Sequence, residues 1–416
     1  MKTVGLVVEY NPLHNGHRYH FEQAKLATGA EACVIVMSGN FLQRGEPAVV
    51  SKWARTEMAL RQGIDLVIEL PVPFATATAE IFALGAVSIL HRLGVVDSIC
   101  FGSESGDINW MKTLAKALAE EPAEFSRELK EGLSAGLAYP SAYARAATNY
   151  MRSQGYQELA LDQPNNILGL QYLLALERLQ SPMEAVTITR RKAGYHQATI
   201  TDQEIASATA LRKLLLEDGA PLDELSPYVP TATLDILRRE FAAGAGPMSW
   251  DRFFHPLFHR LLQLSTGQLS AFHEVEEGME NRIKQSVKRA GSVHELLTLC
   301  KTKRFTWNRL QRILLSVLLD LTKDKISAFD VKQGAPYARV LGFSEKGRML
   351  LHEAKKKSSI PMYTNVRDGL HPMLDVDIAA SSLYRLAQPE NRDDAFVEEY
   401  ERPPITNVSA EATSNR

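Results

Sequence analysis

An apolar run leads directly into a histidine-rich turn near the start of the chain, where residues 3–17 read TVGLVVEYNPLHNGH. The apolar part predicts a buried β-strand, and a helix is expected from His17 to Ala27. A short loop between a strand and a helix N-terminus presents backbone N–H groups to an anion, and Gly16 allows close backbone approach. His14 and His17 can donate hydrogen bonds to phosphate oxygens as charge builds during attack at an α-phosphorus. The turn is therefore interpreted as a nucleotide-binding site. The alternative is that the H-x-G-H string arose by chance and the histidines are merely exposed, but the position between a strand and a helix favours the nucleotide-binding site.

The same alternation of apolar run and helix continues through the first half of the chain. Near-continuous apolar strands separated by helices are typical of βαβ units with a parallel sheet covered on both faces. The predicted fold class is therefore α/β, with a Rossmann-like parallel sheet. Ligands of such sheets bind beyond the carboxyl ends of the strands, where the motif-rich turns lie. Further strands are predicted at residues 32–37, 65–70, 98–101 and 185–190, and helices at 52–62, 77–93 and most of 107–180.

The pattern changes near residues 219–230, which predicts a domain boundary. We expect a catalytic domain over 1–220 and a mainly helical, basic domain over 231–390, with a short strand at 361–363. The segment 391–416 is rich in acidic, Pro, Ser, Thr and Asn residues, so a disordered tail is predicted.

Composition places the chain among ordinary globular proteins, with 45% hydrophobic and 23% charged residues in 416. No apolar run approaches the roughly 20 residues that span a bilayer, and Glu9 interrupts the N-terminal run, which argues against a signal peptide. Cys33, Cys100 and Cys300 are far apart and odd in number, which argues against a disulfide framework and a cysteine zinc site. A reducing cytoplasm fits this cysteine usage.

Charge is distributed unevenly along the chain. Residues 281–360 hold 18 Lys and Arg against 6 Asp and Glu, a charge of +12, so the rest carries −14 of the total −2. Such an imbalance favours a polyanionic partner such as RNA, although a solvated helix face with the aromatics Phe305 and Trp307 in the core is the ordinary alternative. The residues predicted to contact the RNA are Lys284, Lys288, Arg289, Lys301, Lys303 and Arg304.

A second motif is the segment Ala206–Arg212, which is expected to open a helix. The hydroxyls of Ser207 and Thr209 at a helix N-terminus, with Arg212 one turn on, can hold β- and γ-phosphates. Standing alone, the segment is equally an ordinary capped helix.

The histidine turn resembles the HxGH signature of the nucleotidylyltransferase superfamily, and Ala206–Arg212 resembles its I-S-S-T-x-I-R signature, with Ala206 and Ala208 departing from it. Four stretches, residues 5–17, 37–48, 69–71 and 101–104, resemble the bacterial tRNA(Met) cytidine acetate ligases more narrowly. That resemblance implies an enzyme that forms acetyl-adenylate and pyrophosphate from acetate and ATP, with Mg²⁺. The acetyl group then passes to N4 of the wobble cytidine of elongator tRNA(Met).

Carried over by position, the resemblance also implies site residues. His14 and His17 are the expected catalytic residues, and no protein metal site is expected. Asn40, Gln43 and Arg44 are expected either to contact acetate or phosphate or to form a solvated loop, and Glu104 either binds ribose or caps a turn. Asn166 and Arg191 remain open as alternatives to Asn165 and Arg190 in the nucleotide site. The ATP-binding set comprises Val7, Val8, Glu9, Tyr10, Asn11, Pro12, Leu13, His14, Asn15, Gly16, His17, Arg18, Tyr19, His20, Gly102, Asn165, Arg190, Ser207, Thr209 and Arg212.

Two other functions remain open on the residues alone. An adenylyltransferase of a cofactor pathway, joining AMP to a small phosphorylated substrate, needs only the N-terminal domain. It leaves the basic region unexplained. A non-catalytic RNA-binding protein with a relic nucleotide site is disfavoured by the intact His14, His17, Ser207, Thr209 and Arg212.

Overall fold

The computed structural model describes residues 1–137, 139–156, 163–190, 206–388 and 396–406. Its centre is a seven-stranded sheet with the order β5-β4-β1-β2-β3-β6-β7. The first five strands run parallel, β6 is antiparallel to β3, and β7 is parallel to β6. The strands are β1 Thr3–Val8, β2 Ala32–Ser38, β3 Leu66–Leu70, β4 Ser98–Ser103, β5 Glu184–Thr189, β6 Ala338–Phe343 and β7 Met362–Tyr363.

Helices cover both faces of the sheet and form a separate layer beside it. They are α1 Asn15–Thr28, α2 Lys52–Arg61, α3 Val72–Ala75, α4 Ala79–Arg92, α5 Asn109–Glu120, α6 Ala123–Ser134, α7 Tyr139–Ser153, α8 Pro164–Arg178, α9 Ala208–Leu216, α10 Thr231–Ala242, α11 Phe254–Gln263, α12 Thr266–Ser270, α13 Met279–Ser286, α14 Val293–Cys300, α15 Trp307–Leu318, α16 Lys323–Ala328, α17 Glu345–Lys357, α18 Pro372–Leu386 and α19 Glu398–Glu401. None of these described helices is long and apolar enough to cross a membrane.

Alternating side chains of the strands divide the core into two layers. Ala32, Val34 and Val36 of β2 face the layer that contains α4, α5 and α8, whereas the intervening residues of β2 face α1, α2, α9 and α10. A third cluster fills the helical region from Met248 to Leu321, and Phe41 and Val72 join it from the sheet side. Phe41 and Val72 follow β2 and β3, so the helical region packs against the carboxyl edge of the sheet.

The chain order makes β1 the point where the sheet changes direction. From β1 the chain moves through β2 and β3 to one side, and β4 and β5 are then added on the other side. The crevice between the carboxyl ends of β1 and β4 is therefore the topological switch point, where ligands of open α/β sheets bind.

The predicted α/β class and parallel sheet are confirmed, and the first five strands lie where the apolar runs predicted them. The strand expected at 361–363 is also present as β7. The predicted division into 1–220 and 231–390 does not separate the sheet from the rest, because β6 and β7 lie in the second segment. Strand β6 covers the edge of β3, which would otherwise expose its unpaired backbone groups.

Residues 396–406 are ordered, contrary to the predicted disordered tail. They contain α19, and Ile405 pairs with Gly342 of β6. Glu399 is buried, and its carboxylate accepts hydrogen bonds from Lys52 Nζ at 2.8 Å and Trp53 Nε1 at 3.0 Å. The remainder of the predicted tail, 391–395 and 407–416, lies outside the described residues.

Candidate nucleotide site

A cavity opens at the switch point, between the carboxyl ends of β1, β4 and β5 and the N-termini of α1, α8 and α9. It is lined by Val7, Val8, Glu9, Tyr10, Asn11, His14, Gly16, His17, Tyr19, His20, Gln43, Arg44, Glu46, Ala79, Phe82, Phe101, Gly102, Asn165, Leu168, Tyr172, Ile188, Thr189, Arg190, Ala206, Ser207, Ala208, Thr209 and Arg212. The structure thus brings together residues that are about 200 positions apart in the sequence.

The turn after β1 is built around a reciprocal cap of α1. His14 is the N-cap residue, and its Nδ1 accepts a hydrogen bond from Gly16 N at 3.0 Å. His17 Nδ1 in turn accepts one from His14 N at 3.3 Å, and the two rings stack with their centroids 3.8 Å apart. Tyr10 enters the turn with φ 51°, in the left-handed region that non-glycine residues seldom adopt. These contacts fix both imidazoles at the mouth of the helix.

The protonation state of the two histidines follows from this cap. Burial, together with the nearby charges of Arg190 and Arg212, lowers the pKa of His14 to about 3. Burial, with His14 and Arg190 beside it, also holds the pKa of His17 well below its usual value. Both rings are therefore neutral near pH 7. Because each Nδ1 is an acceptor, the single ring proton lies on Nε2.

Two arginines place positive charge on the cavity wall. Arg212 donates from Nη1 to the carbonyl oxygen of Asn11 at 3.1 Å, and its Nη2 lies 3.1 Å from Glu46 Oε1. Arg190 donates from Nη1 to Asn165 Oδ1 at 3.2 Å. These bonds anchor both guanidinium groups, so their charge stays fixed beside the histidines and attracts an anionic ligand.

A second helix N-terminus points at the same cavity. Ser207 is the N-cap of α9, where its Oγ accepts a hydrogen bond from Ala210 N at 3.1 Å, and Thr209 lies in the first turn. Helices α1 and α9 thus both contribute the positive end of their dipole to this space. Such an arrangement suits a chain of phosphate groups better than a single small anion.

The structure distinguishes Asn165 from Asn166. Glu104 accepts hydrogen bonds from Asn165 N and Nδ2, at 3.2 and 2.5 Å, and from Asn166 N at 2.9 Å. The carboxylate therefore caps α8. Asn166 is completely buried and accepts from Glu104 N, whereas Asn165 lines the cavity. Arg191, the other open substitute, lies outside the described residues.

Of the three candidate residues in the loop after β2, two line the cavity and one does not. Gln43 and Arg44 line the cavity, and Gln43 donates from its backbone N to Glu9 Oε1 at 2.8 Å. Asn40 does not line the cavity, because it is buried and its Oδ1 accepts from Lys52 N at 2.7 Å while its Nδ2 donates to Ser381 Oγ at 3.3 Å. An acetate or phosphate contact is thus open to Gln43 and Arg44 and not to Asn40.

Four residues of the predicted ATP-binding set support the loop rather than line the cavity. Pro12 and Leu13 are buried, Asn15 Nδ2 donates to Pro227 O at 2.9 Å, and Arg18 pairs with Glu22.

The sequence prediction in turn missed a group of cavity residues. Glu46 falls within the motif after β2, which was a usable signal, but the apolar residues have the same pattern as ordinary core positions. The missed residues are Glu46, Ala79, Phe82, Phe101, Leu168, Tyr172, Ile188, Thr189, Ala206 and Ala208.

The basic region is mostly exposed. Lys284 donates to Leu261 O and Leu262 O at 2.9 and 3.1 Å, and Arg304 pairs with Glu277. Phe305 is buried, and the partly buried Trp307 packs on the third core cluster, so both serve the core. The predicted tRNA-binding residues with exposed side chains are Lys288, Arg289, Lys301, Lys303 and Arg304.

Known proteins match this chain over nearly its whole length. The model of the HIGH Nucleotidyl Transferase family matches residues 1–398. A tRNA(Met) cytidine acetate ligase of Acetivibrio thermocellus is 42% identical over 427 residues, covering 100% of this chain and 99% of the relative. The enzyme of that name from Bacillus subtilis is 42% identical and covers 97% of each chain.

Solved structures agree with these relatives. Thermotoga maritima TmcAL bound with alpha-thio ATP has 34% sequence identity and a TM-score of 0.86, and covers 98% of this chain and 99% of that one. The apo form of the same protein has 35% identity and a TM-score of 0.89, with the same coverage.

Proposed function

This chain belongs to the HIGH nucleotidyl transferase family and, within it, to the tRNA(Met) cytidine acetate ligases, and on that premise we propose that it acetylates elongator tRNA(Met) with acetate and ATP. The reaction makes acetyl-adenylate first and then transfers the acetyl group to N4 of the wobble cytidine. The observation that carries this proposal is the pair of neutral, mutually capped histidines between two helix N-termini and two arginines. We expect the enzyme to act in the cytoplasm, on its tRNA substrate.

ATP lies across the switch point with its α-phosphate beside the Nε2–H groups of His14 and His17. The β- and γ-phosphates lie at the N-terminus of α9, where Ser207, Thr209 and Arg212 can hold them. Gly102, Asn165 and Arg190 complete the nucleotide site at the ends of β4 and β5. The Thermotoga maritima protein binds alpha-thio ATP, which supports ATP as the ligand.

In the first step the acetate carboxylate attacks the α-phosphorus and pyrophosphate leaves. Neutral Nε2–H donors, already fixed by the cap of α1, stabilise the charge that develops on the α-phosphate oxygens. Their neutrality also avoids a tight charge pair with ATP that would favour the ground state as much as the transition state.

Mg²⁺ would neutralise part of the triphosphate charge in this step. Among the described residues, no group of three or more His, Cys, Asp and Glu side chains is arranged to hold a metal ion. Magnesium commonly keeps several waters and binds through substrate phosphates, so it would enter with ATP.

In the second step the cytidine amine attacks the acetyl carbon and AMP leaves. The base must leave its stack, which costs little in an anticodon loop. The basic region offers a surface for the tRNA phosphates, whose neutralisation makes affinity depend on salt. The residues proposed for this contact are Lys284, Lys288, Arg289, Lys301, Lys303 and Arg304, of which Lys284 and Arg304 already bond within the protein.

Incubation with labelled acetate, ATP and bulk tRNA tests the proposal. Label should enter RNA only when ATP and tRNA are both present. Transfer of AMP to a small phosphorylated substrate without RNA would instead identify a cofactor-pathway adenylyltransferase. No ATP turnover under any condition would leave a non-catalytic RNA-binding protein.

A further inference from the structure

Acetyl transfer releases a proton from the cytidine amine, and the histidines cannot accept it. Both His14 Nδ1 and His17 Nδ1 already accept backbone hydrogen bonds, so their Nε2 atoms carry the ring protons. His20 Nε2 is buried without a partner among the described residues, but burial lowers the pKa of His20 to about 4, which makes it a weak base. The step therefore needs another acceptor in the cavity.

Two carboxylates line the described part of the cavity, and they differ in their partners. Glu46 Oε1 lies 3.1 Å from Arg212 Nη2, so its charge is already paired. Glu9, at the carboxyl end of β1, uses only Oε1, which accepts from Gln43 N at 2.8 Å and Ser38 Oγ at 3.4 Å. Within the described residues, Glu9 Oε2 has no hydrogen-bond partner. The carboxylate is thus held in place with one oxygen available.

Glu9 lines the same cavity as the phosphate-binding residues. A carboxylate repels a triphosphate, which argues against a role in binding ATP. Gln43 connects Glu9 to another wall of the cavity, because its backbone N donates to Glu9 and its Nε2 donates to Ala77 O at 2.8 Å, two residues before α4. That wall is apolar and aromatic, and comprises Ala79, Phe82, Phe101, Leu168 and Tyr172.

A site for an unstacked pyrimidine combines a hydrogen-bond acceptor, such as Glu9, with an apolar and aromatic wall. The flat faces of the pyrimidine pack on aromatic and apolar side chains, and its exocyclic amine needs an acceptor. The combination therefore fits cytosine on the Glu9 side and ATP on the side of α1 and α9.

We propose that Glu9 is the general base of the acetyl-transfer step, a role that rests on the proposed function. The bond between N4 and the acetyl carbon forms, and the bond between that carbon and the phosphate oxygen of AMP breaks. AMP leaves with the electron pair, and the proton of N4 passes to Glu9 Oε2. Burial raises the pKa of Glu9, and Glu46 adds to this, while the hydrogen bond from Gln43 N and the charges of Arg44 and Arg212 oppose it. A raised pKa makes the carboxylate a stronger base near neutral pH.

The test compares Glu9→Gln with Glu9→Asp in each half-reaction. Glu9→Gln keeps the shape and an oxygen that can accept from Gln43 N, whereas Glu9→Asp keeps the negative charge. The first half-reaction is followed as acetate-dependent exchange of pyrophosphate into ATP. The second is followed in single turnovers, by adding synthetic acetyl-adenylate and elongator tRNA(Met) to enzyme in excess.

We expect Glu9→Gln to slow transfer by about 10²- to 10⁴-fold, the usual contribution of a general base, and to slow exchange by at least about ten-fold less than transfer. Glu9→Asp should retain more transfer activity than Glu9→Gln. Transfer by Glu9→Gln at the wild-type rate, equal losses in both half-reactions, or more transfer from Glu9→Gln than from Glu9→Asp would each overturn the role. If the wild-type enzyme transfers no acetyl group to tRNA, the proposed function itself fails.

Wild-type kinetics give a second readout in case Glu9→Gln does not fold. The transfer rate should rise with pH as Glu9 ionises, while exchange lacks this rise. The charged groups facing Glu9 are Glu46, Arg44, Arg212 and Arg55. A transfer rate that does not change with pH would overturn the role of Glu9.

Discussion

Glu399 links the C-terminal segment to the base of the active site through a buried ionic cluster. Its Oε2 lies 2.8 Å from Lys52 Nζ and 2.6 Å from Arg339 Nη2. Glu69 contacts the same two cations, at 2.8 Å and 3.2 Å. All four side chains are 4% exposed or less, so two positive and two negative charges balance out of water. Lys52 begins α2, whose Arg55 donates to the carbonyl oxygens of Glu9 and Ser38 at the edge of the cavity.

Replacing Glu399 with Gln leaves one uncompensated buried cation. Breaking a buried ion pair from one side costs about 3–5 kcal/mol of unfolding free energy, or roughly two to four powers of ten in the unfolding equilibrium. Glu398→Gln is the matched control on the same helix, because Glu398 is partly exposed and pairs with Arg402 one turn away. Such a surface pair contributes about 0–1 kcal/mol. Urea denaturation of both variants at pH 7, followed by tryptophan fluorescence, gives the two values.

The pH dependence of the unfolding free energy should also differ between the wild type and Glu399→Gln. Burial alone would raise the pKa of Glu399, but Lys52 and Arg339 overcome it and hold the pKa below its usual value. A depressed carboxyl pKa contributes stability that is present above the unfolded value, about 4.3, and is lost as the pH falls below it. The variant should lack this acid-side loss. A Glu399→Gln protein within about 1 kcal/mol of Glu398→Gln would refute the cluster's stabilising role.

Three further results are expected from the site and the packing. His14→Asn keeps an N-cap acceptor but removes the Nε2–H donor. It should slow acetate-dependent pyrophosphate exchange by about 10²- to 10³-fold without changing the affinity for tRNA. A loss of exchange below about ten-fold, or an equal loss of tRNA binding, would count against the role assigned to His14. Gly347→Ala puts a methyl group 1.9 Å from Asp65 O and should lower the unfolding free energy, measured by urea denaturation, by about 1–3 kcal/mol. Gly267→Ala is the control and should be nearly neutral, because its nearest neighbour is 4.0 Å away. Equal losses in the two variants would contradict the packing around Gly347. Lys303→Ala should lower the slope of log Kd for tRNA against log salt by about one in anisotropy titrations, and an unchanged slope would remove it from the interface.

The first five strands could be predicted because a parallel strand buried on both faces is a continuous apolar run. The turn around His14 and the start of α9 were also predictable, since each motif lies at a junction between a strand or loop and a helix. Strand β6 was not, because it contains Arg339 and Gly342 and pairs with β3 about 270 positions earlier. No local pattern encodes such a pairing.

The missed parts of the candidate site have a similar cause. Phe82, Leu168 and Tyr172 have the spacing of core residues, and only the position of α4 and α8 over the sheet edge brings them to the cavity. Glu399 lies in an acidic, proline-containing segment whose composition predicts disorder. Its order comes from cations at Lys52 and Arg339, which no property of the segment itself reveals.

Oxygen transfer from acetate tests most directly whether the histidine turn directs chemistry to the α-phosphate. The enzyme is incubated with ¹⁸O-labelled acetate, ATP and elongator tRNA(Met), and the phosphate products are analysed by mass spectrometry. If the carboxylate attacks the α-phosphorus, the later cleavage of the acyl bond leaves one ¹⁸O in AMP, and the pyrophosphate is unlabelled. Label in inorganic phosphate, with ADP as the other product, would place the attack at the γ-phosphorus and contradict the account.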